Sequence, residues 1–173
     1  MKLTSKTISI RFITENDAEF VTKLRTDSNY NTFLSPVAGG VESQRQWIKH
    51  YKEAERNGEQ YYFIIERNDG KPCGTVRIYD LKDNSFCWGS WILNEDKTHY
   101  AALESAFLVY EFGFENLKRS KSHFEVRKGN EKVISFHKKM GAVKTGETDV
   151  DELFEISKES VANIKKRLSS KLI

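Results

Sequence analysis

Apolar and polar residues alternate over 7–13, and the alternation stops at the polar run Thr14, Glu15, Asn16, Asp17. A period of two predicts a strand, and a polar cluster of this kind caps a helix, here over 17–26. Residues 27–40 collect Asn29, Asn31, Pro36, Gly39 and Gly40 and read as loop. Helical spacing resumes over 41–57 through Trp47, Ile48 and Tyr51, and Gly58 closes that helix. Three extended runs follow, 61–66, 73–79 and 86–93, with turn residues at 68–70 and 82–84 between them. Short apolar runs joined by such turns predict an antiparallel meander.

The period then changes. Leu103, Ala106, Phe107, Tyr110, Phe114 and Leu117 fall at i, i+3, i+4, i+7, i+11 and i+14, which predicts a helix facing the core. A strand over 123–127, a helix over 131–140 ending at Gly141, and extended segments over 142–148 and 152–156 complete the alternation. A terminal helix carries Val161, Ile164, Leu168 and Leu172, with Lys158, Lys165, Lys166, Arg167 and Lys171 around that stripe. The order βα, α, βββ, α, β, α, ββ, α predicts an α/β (α+β) fold, a mixed and mostly antiparallel sheet of about seven strands flanked by helices. One domain over 1–173 accommodates it.

Composition narrows the function classes. Lys and Arg number 28 against 25 Asp and Glu, and the balance of +3 is spread along the chain, which argues against nucleic acid as the partner. Cys73 and Cys87 both lie in apolar runs, as buried thiols in a reducing compartment do. No apolar window reaches the length of a membrane span. The expectation is a soluble, cytoplasmic protein that needs no membrane and no metal.

The most informative stretch is 125–142, where a strand delivers the chain to Asn130 and a helix runs on to Gly141. Asn130 and His137 are two helical turns apart, so both project from one face and a ligand lying along the helix touches both. The competing account makes Asn130 an N-cap and His137 a partly exposed polar residue. This stretch resembles the last motif of the GNAT family of N-acetyltransferases: a strand, an Asn, a Tyr or similar residue seven positions on, and a Gly-aromatic pair. Here His137 stands at the Tyr position and Gly141-Ala142 replaces Gly-Phe. The element order along nearly the whole chain is similar to that fold too.

The resemblance implies that the fourth predicted strand, 86–93, splays from the fifth, 123–127, and that acetyl-coenzyme A enters between them as a co-substrate. Backbone groups of Trp91, Ile92 and Leu93 would meet the pantetheine arm, with Asn130 and Ser135 beyond it. Lys97, Thr98, His99, Tyr100 and Ala101 would meet the pyrophosphate at the start of the long helix. The family's loop there is glycine-rich, whereas residues 94–101 contain no glycine. Either small residues such as Ala101 and Ala102 suffice, or Glu95 and Asp96 repel the anion and the chain is a degenerate binding module.

Family members let a neutral amine attack the thioester directly, which implies an acid, a base and a backbone oxyanion site at a bulge of the fourth strand. His137 is the expected acid, since a group of pKa about 6.5 is partly protonated near neutrality. Glu125 is the expected base, buried and with a raised pKa. His123, His99, Glu66 and Glu42 are further candidates. Tyr30, Asn31, Ser35, Arg77, Tyr79, Trp88 and Ser90 would line the acceptor site, where aromatic faces beside polar groups suit a sugar or a base. Residues 31–35, Trp47-Ile48, Tyr61-Tyr62-Phe63 and 104–114 look like the branch that acetylates nucleotide-linked amino sugars. The branch that acetylates ribosomal protein N-termini shares the layout and stays open as the alternative. The expected partner is a small-molecule acceptor, and the expected state is monomer or homodimer.

Overall fold

The computed structural model of the protein describes residues 1–33 and 39–169. Ser35, Lys171 and Leu172 therefore lie outside the described residues. The strands are β1 (Lys2–Thr4), β2 (Ile8–Phe12), β3 (Tyr61–Arg67), β4 (Pro72–Tyr79), β5 (Ser85–Leu93), β6 (Lys121–Arg127), β7 (Val143–Glu147) and β8 (Asp151–Ser157). The helices are α1 (Ala18–Thr26), α2 (Val41–Arg56), α3 (Ala101–Glu111), α4 (Glu131–Lys139) and α5 (Lys158–Arg167). All eight strands form one sheet in the order β1-β2-β3-β4-β5-β6-β8-β7, and only β5 and β6 pair in parallel. The expected seven strands are present, and β1 is an eighth, a short edge strand held antiparallel to β2.

Both faces of the central sheet are covered, which explains why β3 reads as an unbroken apolar run. Phe63 and Ile65 point into the main core with α3, while Tyr62 and Ile64 join Ile13, Ala18, Val21 and Ile48 beneath α1 and α2. Helix α3 is apolar all round and is enclosed by sheet and helices; even Glu104 and Ser105 on it are buried. Its end is not the plain helix that periodicity predicts. A π-type turn spans Phe112–Asn116, closed by the Leu117 amide donating to Phe112 O at 3.0 Å.

The polar cluster after β2 caps a 3-10 turn over Glu15–Asp17 that runs into α1, whereas α1 itself, expected to be capped, has no side-chain cap bond from Asp17. Thr14 N–H donates to the Asp17 carboxylate at 2.8 Å, and Arg11 donates to both Asp17 oxygens at 2.9 Å. Arg11 also reaches Glu66 at 3.0 Å, tying β2 to β3. Burial alone would raise the Asp17 carboxyl, but the Arg11 and Thr14 hydrogen bonds outweigh it and hold the group below its usual range. Asp17→Ala leaves Arg11 with Glu66 alone and uncaps the turn, so urea denaturation is expected to show a loss of about 2 kcal/mol.

Candidate active site

Strands β5 and β6 meet only at Ser85↔Lys121 and Phe86↔Ser122, after which they part. A wedge opens between Trp88–Leu93 on one side and Phe124–Arg127 on the other, and it forms part of a cavity of about 630 Å³. On the other edge of β5 the ladder with β4 carries a bulge, because Thr75 opposes Ile92 and Arg77 opposes Gly89, two steps against three. Ser90 takes up the extra residue with φ of 49°, a left-handed conformation unusual for serine. The bulge brings Trp88 and Trp91 to one side, with ring centroids 5.1 Å apart.

The sequence-predicted residues divide into three groups. Trp91, Ile92, Leu93, Lys97, Asn130, Ser135, His137, Glu125, Tyr30, Trp88 and Ser90 all border the cavity. Thr98, His99, Tyr100 and Ala101 do not: Thr98 hydrogen-bonds Thr7 at 2.7 Å, His99 packs on Tyr100 at 4.5 Å, and Ala101 is fully buried. Ala102 takes their place at the cavity wall. Asn31, Arg77 and Tyr79 lie outside the cavity, the last two on the β4 face beside the bulge.

Asn130 stands at the N-cap position of α4, as the competing account has it, but its side chain makes no cap hydrogen bond and borders the cavity. His137 departs from the competing account, and from the expectation that it is an ordinary titrating acid. It is 4% exposed, walled by Trp88, Trp91, Phe124 and Phe136 at centroid distances of 5.3, 6.1, 4.2 and 5.7 Å. Burial pulls its pKa down to about 3, and its Nδ1 has no partner. The ring is therefore neutral at neutral pH, and it can offer an N–H but no imidazolium proton.

Glu125 is exposed, where burial was expected. It alternates with Phe124 and Val126, which take the core side of β6, and it accepts a hydrogen bond from Tyr79 Oη at 3.2 Å. The other candidate bases are engaged elsewhere. His123 has Ser85 Oγ on Nδ1 at 2.5 Å and Asp80 on Nε2 at 2.8 Å. Glu66 serves Arg11 and Lys2, and Glu42 serves Arg45.

The loop over 94–101 builds its turns without glycine. No residue over 94–100 has positive φ, so its turns need no left-handed backbone. The Asn94 side chain accepts from Asp96 N at 2.9 Å and its carbonyl accepts from Lys97 N at 3.1 Å. The two acids feared there are occupied, Glu95 by the Tyr30 hydroxyl at 2.5 Å and Asp96 by Lys71 at 3.2 Å. Helix α3 has no side-chain cap; the Ala101 amide donates to Thr98 O at 3.2 Å, which leaves the amides of Ala102 and Leu103 for an anion. Lys97, Lys132 and Lys139 add positive charge around the cavity. The last two escaped the sequence reading, although Lys132, Ser135 and Lys139 share one face of α4 at i, i+3 and i+7.

The arrangement fits acetyl-coenzyme A: an open strand edge for an amide-bearing arm, then free amides and lysines for its phosphates. The profile of the acetyltransferase (GNAT) domain matches residues 7–143. The chain belongs to that family. Among solved structures, apo FdhC, a nucleotide-linked sugar GNAT, is 50% identical with a TM-score of 0.92, covering 100% of this chain and 99% of its own. A ribosomal-protein-S5-alanine acetyltransferase from Vibrio fischeri shares the fold at 15% identity and TM-score 0.78, with 91% and 96% covered. So does a spermidine N-acetyltransferase from Vibrio cholerae, solved with CoA and spermine, at 14% identity and TM-score 0.76, with 90% and 98% covered. A search of curated proteins gives no match. This GNAT enzyme is thus an acetyl-CoA-dependent acetyltransferase. Among its described residues no helix is long and apolar enough to cross a membrane, and no group of three or more His, Cys, Asp or Glu is placed to hold a metal.

Proposed function

We propose that the enzyme transfers acetyl from acetyl-coenzyme A to the primary amine of a nucleotide-linked amino sugar, by direct attack in a ternary complex. The observation that carries this reading is the 50% identity over the full chain to a nucleotide-linked sugar GNAT. Acetyl-coenzyme A, when bound, supplies the acyl group as a thioester. Trp91 to Leu93 present the β5 edge to the pantetheine arm, and Asn130 and Ser135 close the opposite wall. Lys97, Lys132, Lys139 and the first-turn amides of α3 hold the phosphates. The bulge at Ser90 leaves a residue out of the ladder, and a backbone amide there stabilises negative charge on the carbonyl oxygen. Glu125 takes the ammonium proton through its exposed carboxylate. His137, kept neutral by its aromatic surround, donates a hydrogen bond on the sulfur side. The acceptor approaches over the face that carries Glu125, Tyr79 and Arg77.

The test is thioester consumption with purified enzyme over nucleotide-linked amino sugars, ribosomal N-terminal peptides and polyamines. The expected result is a kcat/KM at least a hundredfold higher for one amino sugar than for any peptide or polyamine. Equal or better use of a peptide sinks the reading. Binding is checked separately: acetyl-coenzyme A at a hundred times its Kd stabilises the native state by about 2.7 kcal/mol, seen as a Tm rise of several degrees.

A further inference from the structure

The charged groups on the acceptor face are paired, with two exceptions. Asp80 is shared by His123 at 2.8 Å and Lys82 at 3.9 Å, and Lys121 holds Glu155 at 2.8 Å. Arg77 and Glu125 have no ion pair among the described residues. Arg77 is half-buried, its Nε is buried without a partner, and its hydrogen bonds go to neutral groups, Gln60 at 3.5 Å and the Tyr51 hydroxyl. A partly desolvated guanidinium without a carboxylate is unfavourable unless a ligand supplies the anion.

One side chain joins the two groups. The guanidinium of Arg77 stacks on the Tyr79 ring at 4.1 Å, with the Tyr51 ring 6.0 Å away, and the far end of Tyr79 donates to Glu125 at 3.2 Å. Tyr79 reaches across β5 because residue 89 is glycine; a Cβ there would stand 3.0 Å from its hydroxyl. Burial keeps that hydroxyl protonated, so it remains a donor. Arg77 also faces Gly89 in the β4–β5 register, next to the bulge at Ser90. A cation and an anion are thus held about one tyrosine length apart, beside the opening between β5 and β6.

The geometry points to an acceptor that carries both charges: its amine lies against Glu125 and a phosphoester group lies against Arg77. The planar guanidinium fork, held over the Tyr79 ring, matches two phosphate oxygens and leaves Glu125 for the ammonium. Nucleotide-linked amino sugars have this character. Polyamines lack the anion and place positive charge on Arg77. The inference rests on the acceptor class proposed above and makes Arg77 the residue that selects within it.

The experiment compares wild type, Arg77→Gln and Arg77→Lys, with UDP and dTDP as probes and the amino-sugar nucleotide as substrate. In the wild type, a nucleoside diphosphate should compete with the acceptor. Arg77→Gln should raise acceptor KM and weaken diphosphate inhibition at least tenfold, with the KM for acetyl-coenzyme A unchanged and kcat within threefold. Arg77→Lys should recover part of the loss, because it restores charge without the fork. An unchanged Tm response to acetyl-coenzyme A certifies the fold of each variant. Arg77→Gln with wild-type acceptor KM, or a diphosphate that competes only with acetyl-coenzyme A, overturns the inference and leaves the proposed function standing. Diphosphate binding that depends on Arg77, without turnover of any amino sugar, supports the anion site and removes the proposed function instead.

Discussion

His137→Phe is expected to lower turnover at least tenfold while making the protein more resistant to acid. The two effects share one cause. Phenylalanine fills the space among Trp88, Trp91, Phe124 and Phe136, and it removes the unpartnered Nδ1, so folding at pH 7 survives. What is lost is the N–H at the cavity wall. The acid effect follows from linkage. His137 titrates near 3 in the folded chain and about 6.5 when unfolded, so between those values only the unfolded chain binds the proton. Stability of the wild type therefore falls as pH drops below about 6.5, by roughly 3 kcal/mol from this residue by pH 4. The variant lacks this contribution. Urea denaturation of both proteins at pH 7 and pH 4 checks it: an equal gap at the two pH values would show that His137 is not held neutral by burial. Wild-type kcat in the variant would remove His137 from the chemistry.

This case marks where the sequence stops being legible. That Asn130 and His137 share a helix face is a matter of period, and the structure places both on one cavity. The protonation state of His137 is not a matter of period. It depends on rings contributed by β5, β6 and α4, which only the packed fold brings together. The unbroken apolar run of β3 was legible as a strand, and burial on both faces accounts for its composition. Strand β1 was missed because Lys2, Leu3 and Thr4 are few and mixed in character, and pairing with β2 makes them a strand.

The glycine-free loop leaves two outcomes open in the sequence, small residues that suffice or acids that repel the anion, and the backbone bears on the first: no loop residue adopts a left-handed conformation, so the turns form without glycine. Conversely, the left-handed residue that matters is Ser90, a residue type that gives no such signal in a sequence. Glu125 was found by alternation on β6, but the same alternation turns it toward solvent, away from the core side of Phe124 and Val126. Arg77 and Tyr79 were read as separate acceptor contacts. Their connection runs through the space above Gly89, a distance relation across three strands that no spacing along the chain encodes.

Gly74→Ala is expected to disable cofactor binding and folding together, and a second glycine separates the two effects. Gly74 lies on β4 opposite Leu93, and a Cβ there would fall 2.2 Å from the backbone oxygen of Ile92. Backbone cannot swing aside as a side-chain tip can, so β5 must shift away from β4. The ladder at Thr75↔Ile92, and the Asn94 amide bond to Cys73 O at 2.8 Å, would be strained or lost. Overpacking with a broken ladder costs about 3 kcal/mol. Because the displaced segment is the wall of the wedge opposite β6, the Tm response to acetyl-coenzyme A should vanish at temperatures where the variant is still folded. Gly70 provides the contrast. It has φ of 92° in the β3–β4 turn, and nothing lies within 4 Å of its missing Cβ. Gly70→Ala should therefore lose about 1 kcal/mol through backbone strain alone and keep a full response to acetyl-coenzyme A. If Gly74→Ala, once folded, responds as Gly70→Ala does, the edge of β5 near Ile92 is not where the pantetheine arm binds.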